Sequence, residues 1–371
     1  MSATGFLDAC GFFPAAGGTA DFVVSAAITG YQTPASAGAV NGAVYSYRAQ
    51  SSDMSEWEIG FGAYATGTTT LARTTVVASS TGSKVNFSAP PQVYITALSE
   101  DLYKTINARE TLTADRTYYV DTTNGNDSNS GLAAGSGNAF KTIQKAYDVI
   151  AGKLDLAGYT VTIQIADGTY APSSGINALL VSKPWTGGGS IVVQGNSSTP
   201  ANVVLSTTSA DVIRVTAPLP GILTLKDFKL QTATSGGGIL LQAAGTIQFG
   251  NLNFGACTGD HYTTGAAGAF IKAISNYSIT GGANRHALAT NPSSIVASAI
   301  TISLTGTPTF VAFAQASGCS VMDWSGTTFS GSANGQRYSA LLNGVIYTGG
   351  GGANFFPGST AGATSSGGQY L

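Results

Sequence analysis

Charge is what this sequence has least of. Of 371 residues only 9% are Asp, Glu, Lys or Arg, where ordinary globular chains carry ~25%. Neither sign dominates: 16 Lys+Arg face 18 Asp+Glu, for a formal net charge of −2. That balance leaves no basic footprint for nucleic acid and no polybasic patch for a membrane surface. No apolar run approaches the ~18–20 residues of a membrane-spanning helix, so no membrane insertion is expected. The start, Met1-Ser2-Ala3-Thr4-Gly5, lacks the positive n-region of a secretory signal, and synthesis in a cytoplasm is expected. Cysteine is scarce too. Cys10, Cys257 and Cys319 are odd in number and far apart, which excludes a zinc pattern and a disulfide framework. They read as buried free thiols. Acids thin out along the chain: thirteen lie in residues 1–160, and only Asp167, Asp211, Asp227, Asp260 and Asp323 in 161–371, with no glutamate. A shift that large marks a change of architecture near residue 160.

What is present points to an all-β protein. The 43% hydrophobic content excludes a disordered chain. Glycine, at 49 residues, has about twice its usual ~7% share, which suits short strands joined by tight turns. Residues 1–97 read as a small β domain, with strand candidates at Asp21–Ile28, Val44–Arg48, Trp57–Tyr64 and Val93–Thr96. Turn clusters such as Gly67-Thr68-Thr69 separate them. Residues 98–117 read as a linker with a short helix, since Ser99-Glu100-Asp101 precedes apolar residues at helical spacing. Phe140, Ile143, Ala146, Tyr147 and Ile150 share one helix face. Val161, Ile163 and Ile165 then alternate as a strand.

From about residue 222 the chain repeats at close to 25 residues. Leu225-Lys226-Asp227-Phe228-Lys229-Leu230 aligns with Phe249-Gly250-Asn251-Leu252-Asn253-Phe254 and with Ile274-Ser275-Asn276-Tyr277-Ser278-Ile279. Further steps reach Thr301 and Gly326. Three residues past each reference stand Leu230, Phe254, Ile279, Leu304 and Phe329. Two before stand Leu225, Phe249, Ile274, Ala299 and Trp324. Apolar residues at every such position predict a solenoid whose coils stack at the ~4.8 Å strand spacing. Residues 161–331 have room for roughly seven coils of that length. Gly255, Gly281, Gly306 and Gly331 suit the bends. The helix near 140–150 is expected to cover the open N-terminal edge of the stack.

Three segments carry a resemblance. Tyr118–Asp121, Asn124–Gly131 and Ala139–Ala146, continued by residues 161–170, resemble the opening coils of pectate-lyase-like right-handed parallel β-helices. The run Trp57–Phe87 resembles a small β domain at the start of tail-fibre and other virion appendage proteins of tailed bacteriophages and prophages. The run Gly335–Gly358 resembles the distal tip of the same proteins. The resemblance implies a homotrimeric spike or fibre on a virion, assembled in the host cytoplasm. Its parts would be a virion-attachment domain (1–97) bound to another virion structural protein, a linker (98–117), a β-helix with a capping helix (118–335) and a C-terminal tip or trimerisation segment (336–371). It would bind a bacterial-surface polysaccharide or another host receptor.

Many spikes of this kind cleave polysaccharide, and a glycosidase usually needs two carboxylates ~5–9.5 Å apart. No two of the five distal aspartates sit two or 25 residues apart, so no catalytic residues are assigned. A polysaccharide depolymerase, hydrolase or lyase, on the same fold is the alternative, and a secreted β-helical adhesin a third reading. The Asp227–Asn251–Asn276 positions read as a hydrogen-bonding stack. A lyase would want an acid cluster for calcium and a base. Lys183, Arg214, Lys226, Lys229, Lys272, Arg285 and Arg337 offer bases or contacts for an anionic glycan, or simply a scattered solvated face; the acid cluster is missing. Asp121–Asp127 lacks the spacing of a calcium loop and reads as a turn using Asn and Asp at positive φ. No metal and no cofactor is expected. Candidate glycan contacts are Trp185, in a surface loop where its ring could stack on a sugar, and Asp260, His261, Tyr262 and Arg285. The plainer reading puts His261 and His286 at ordinary surface positions. Trp324 is expected in the core.

Overall fold

The computed structural model describes residues 5–105 and 109–371. The chain divides into two compact units, Met1–Ala108 and Arg109–Leu371.

In the first unit, Val44–Gln50 pairs antiparallel with both Trp57–Ala65 and Gln92–Ile95. The pairing runs on through Gly11–Pro14, Phe22–Ala27 and Thr70–Leu71 and returns to Trp57–Ala65. The sheet thus closes on itself, which leaves those strands no free edge. Phe12, Phe22, Tyr45, Tyr47, Tyr64 and Phe87 fill it. The alternation in Trp57–Ala65 runs opposite to a simple hydrophobic reading. Trp57 is exposed while Glu58, Gly60, Gly62 and Tyr64 are buried. A Cβ at Gly62 would lie 1.7 Å from the Ala72 carbonyl, so only glycine admits that close crossing. Glu58 is tolerated because Arg73 meets it with two charge-assisted hydrogen bonds (2.9 and 2.5 Å), Tyr47 donates at 2.6 Å and the Val85 amide at 2.8 Å. Burial pushes the Glu58 pKa up, but those donors outweigh it and hold the carboxyl below its ordinary value. The helix expected in the linker spans Ser99–Thr105.

The second unit is a parallel β-solenoid. Each complete coil contributes one strand to each of three parallel sheets. In the first sheet the register runs Ile163, Val193, Leu225, Phe249, Ala273. In the second it runs Leu205, Leu230, Phe254, Ile279, Leu304. In the third it runs Val181, Val215, Leu241, Thr264, Ala289, Ala316. All but Thr264 are apolar and all are buried. The core therefore grows by one layer per coil, which is why single coils are not stable alone.

The expected ladder holds at Leu230, Phe254, Ile279 and Leu304 and at Leu225, Phe249 and Trp324. It fails at Ile274 and Ala299, which are exposed. Phe249 pairs instead with Ala273, and Ala297 is the buried alanine of the following coil. Coils differ by a few residues, and the bends absorb the difference: Ile274 is an added bend residue, and Ala299 turns the chain at φ 56°. Phe329 pairs with Ile302 rather than Leu304 for the same reason.

The N-terminal edge is covered as expected, and by more than the helix. Helix Ile143–Lys153 starts at Thr142, whose hydroxyl accepts the Lys145 amide (3.2 Å), and it buries Ile143, Ala146, Tyr147, Ile150 and Ala151. Gln144 accepts the Leu180 amide (2.7 Å) and donates to the Leu180 carbonyl (3.1 Å). One side chain thus stands in for the strand that the third sheet lacks on that side. The loop before the helix does the same for Arg116–Val120: Tyr119 donates to Gly131 O, Phe140 to Tyr119 O and Asp121 to Phe140 O. Asp121 accepts the Thr123 and Asn124 amides, and Asp127 accepts those of Lys141 and Thr142. The turn expected at 121–127 is there, but its acids cap amides; none of its residues has positive φ.

At the other end, residues 336–371 continue the stack. Val345–Tyr347 and Gln369–Tyr370 extend the first sheet, and Asn334–Ala340 and Ala363–Thr364 the third. The segment expected as a tip or trimerisation element forms a last coil closed by aromatic packing of Phe355 and Phe356 on Phe313, Trp324 and Phe329. Cys10 and Cys257 are buried, and burial pushes both thiols up to about 12. Cys319 is exposed, contrary to expectation.

Candidate functional site

The third sheet carries the residues singled out for glycan contact. Asp260 closes the bend before strand Tyr262–Thr264, and Arg285 lies one coil later in strand Ala283–Ala289. Stacking brings them together. Arg285 Nε donates to Asp260 Oδ1 (2.7 Å) and Nη2 to Oδ2 (3.1 Å). Thr263 donates to the same carboxylate (3.1 Å), and Arg285 Nη1 reaches Gln315 Oε1 one coil further on (3.4 Å). Both side chains keep a solvent-facing edge, with side-chain exposures of 22% for Arg285 and 12% for Asp260. On the same sheet Arg214 donates twice to Gln242 Oε1 (3.1 and 2.9 Å). This rim is rich in hydrogen-bonding groups that are already paired with one another. It can offer its outer edges to hydroxyls, and it holds no free nucleophile.

The other three candidates are not at the surface. His261 and Tyr262 are both fully buried, and Trp185 is 2% exposed. The Trp185 indole N–H donates to Gly188 O (2.9 Å), closing its own bend from inside. Its loop is at the surface, as expected, but the ring is not, so it cannot stack on a sugar. His286, expected on the surface, is fully buried as well. Trp324 is core, as expected.

The buried histidines form one hydrogen-bonded chain. His261 Nε2 meets Gly255 O (2.9 Å), His261 Nδ1 meets His286 Nδ1 (2.9 Å), and His286 Nε2 meets the Tyr277 hydroxyl (2.7 Å). Burial holds His261 down at about 3 and His286 well below its ordinary value, His286 further so through the neighbouring His261. The sequence did hold a signal for this pair. The 25-residue period carries Asp260-His261 onto Arg285-His286.

The five distal carboxylates are each engaged within the chain. Asp167 accepts from Asn196 and Asn202, Asp211 from the Gly237 amide, Asp227 from Asn251 (2.8 Å) and Asp323 from the Ser325 amide. Asp260 takes Arg285. The Asp227–Asn251 step of the expected polar stack is present; Asn276 accepts the Thr301 amide instead. The cations are spread over all three sheets: Lys226 and Lys272 on the first, Lys229 on the second, Arg214, Arg285 and Arg337 on the third. Among the described residues no group of three or more His, Cys, Asp or Glu is placed to hold a metal ion, and no helix is long and apolar enough to cross a membrane.

Comparison with protein-family models and with curated proteins gave no match to either.

Proposed function

We propose that this chain is a structural appendage protein of a bacteriophage or prophage virion, a homotrimeric fibre or spike that binds a bacterial-surface polysaccharide or another host receptor. The observation that carries the reading is the state of the five acids from residue 161 onward. Each of the five is tied into hydrogen bonds with its own chain, which favours a scaffold and binding surface over a catalytic acid pair. The sequence resemblances at Trp57–Phe87 and Gly335–Gly358 supply the virion context. In that reading the first unit attaches the protein to another virion component. Subunit packing would use the outward column of the first sheet, where Phe270, Ser294, Val321 and Val345 stand in register and Val321 remains 44% exposed.

Native mass spectrometry of the full chain is the first test. The expected species has three times the 37.3 kDa chain mass. A monomer at micromolar concentration overturns the fibre reading. Incubation with host capsular or lipopolysaccharide glycan should then give binding without new reducing ends and without absorbance from new double bonds. Either product would make the protein a depolymerase on the same fold.

A further inference from the structure

The hydrogen-bond chain through His261 and His286 has only one neutral arrangement. Gly255 O can only accept, so His261 Nε2 carries that ring's hydrogen and its Nδ1 accepts. His286 must then donate from Nδ1, which leaves its Nε2 to accept from the Tyr277 hydroxyl. Each nitrogen is satisfied and both rings are uncharged. A first added proton would put a full charge where nothing balances it. Phe254, Tyr277 and Tyr262 close round the pair from the second and third sheets, with Phe310 and Phe313 from the following coil and Trp324 from the one after it. Among these only the two tyrosines titrate, and burial raises both, so they stay neutral. The nearest charges in sequence, Asp260 and Arg285, face outward and neutralise each other. A second proton would set N–H against N–H across 2.9 Å.

We propose that His261, His286 and Tyr277 form an acid-sensitive latch, which holds the coils from Asn253 to Asp323 closed while both imidazoles are neutral and lets them open locally in mildly acidic solution. The sign follows from linkage. Both rings bind protons more weakly folded than unfolded. The stability they contribute is therefore fully present above the unfolded value near ~6.5 and is lost as pH falls below it. With two protons taken up on opening, the equilibrium constant for opening rises by up to about 100-fold per pH unit in that window. The device stands on the buried geometry alone and does not depend on the virion reading.

The chain has only two histidines, so an untagged protein labelled with 15N-histidine reports on this pair alone. At pH 7 we expect one Nε2–H and one Nδ1–H tautomer, both neutral and neither titrating while the coils stay folded. Hydrogen exchange read by mass spectrometry, corrected for intrinsic rates, should show residues 253–289 and 309–323 losing protection between about pH 6 and pH 4. The histidine-free coils at 161–207 should keep theirs. D260N should keep the acid step, and H261Q/H286Q, if it folds, should lose it. Folded-state titration of either ring near pH 6.5, or loss of protection spread evenly over the solenoid, or none by pH 4, overturns the proposal.

Discussion

Trp185 and Arg285 show how much one side chain's direction decides. Both were reasonable candidates for sugar contact by residue type. Trp185 turns inward and bonds its own loop at Gly188, whereas Arg285 turns outward and bridges three coils through Asp260 and Gln315. Trp185→Ala is therefore expected to act on stability and not on ligand affinity. Emptying a buried indole site costs about 3–5 kcal/mol, and the variant should melt earlier while any receptor binding by its folded fraction stays unchanged. Loss of binding at unaltered stability would return Trp185 to the surface. The same inward or outward choice, one residue apart, separates Asp260 from His261, and residue type does not announce it.

At the scale of elements, the cap is the most informative part. A parallel stack begins with strands whose outer amides and carbonyls have no coil to pair with, a template for aggregation. Here the helix Ile143–Lys153 covers the core and Gln144 occupies the edge at Leu180. Gln144→Ala removes a donor and an acceptor from a strand edge, with an expected cost of about 1–3 kcal/mol. A lower melting temperature and faster aggregation on warming, followed by light scattering, would match this. An unchanged melting temperature would mean that the helix alone covers the edge. Helical spacing in 140–150 made the helix legible. The role of Gln144 was not, because it depends on where the third sheet's first strand comes to lie. The coil ladder was likewise legible in the second sheet, where the pairing from Leu230 to Leu304 follows the expected repeat. It slipped at Ile274 and Ala299, where bends take up or drop residues that a fixed period cannot follow.

At the scale of the molecule, the solenoid's interior changes along its length. Val161, Ile163, Leu179, Ile191, Val203 and Leu223 predominate in the early coils, with Tyr170 and Trp185 among them, while Phe249, Tyr262, Phe313, Trp324 and Phe356 join the aliphatic residues of the later ones. This core lies wholly within the second unit, from Leu112 to Phe356, and the first unit has its own. Each unit therefore has what it needs to fold alone. A fragment starting at Arg109 is expected to show β-type circular dichroism and a cooperative melt. A fragment that stays unfolded or aggregates under conditions where the whole chain is soluble would contradict this.

By itself the sequence determined the fold class, the division into a small β unit and a solenoid, the repeat of about 25 residues, the capping helix and the lack of an obvious acid pair. These follow from periodicity and composition, which are properties of neighbours along the chain. Only the tertiary structure decided which of those residues meet. Coil stacking turned the period into contacts between Asp260 and Arg285 and between His261 and His286. Closure of the first unit's sheet joined Glu58 to Arg73. The narrow core drew Trp185 and both histidines out of solvent, because an interior three strands wide must be filled by whatever ring the inward positions supply.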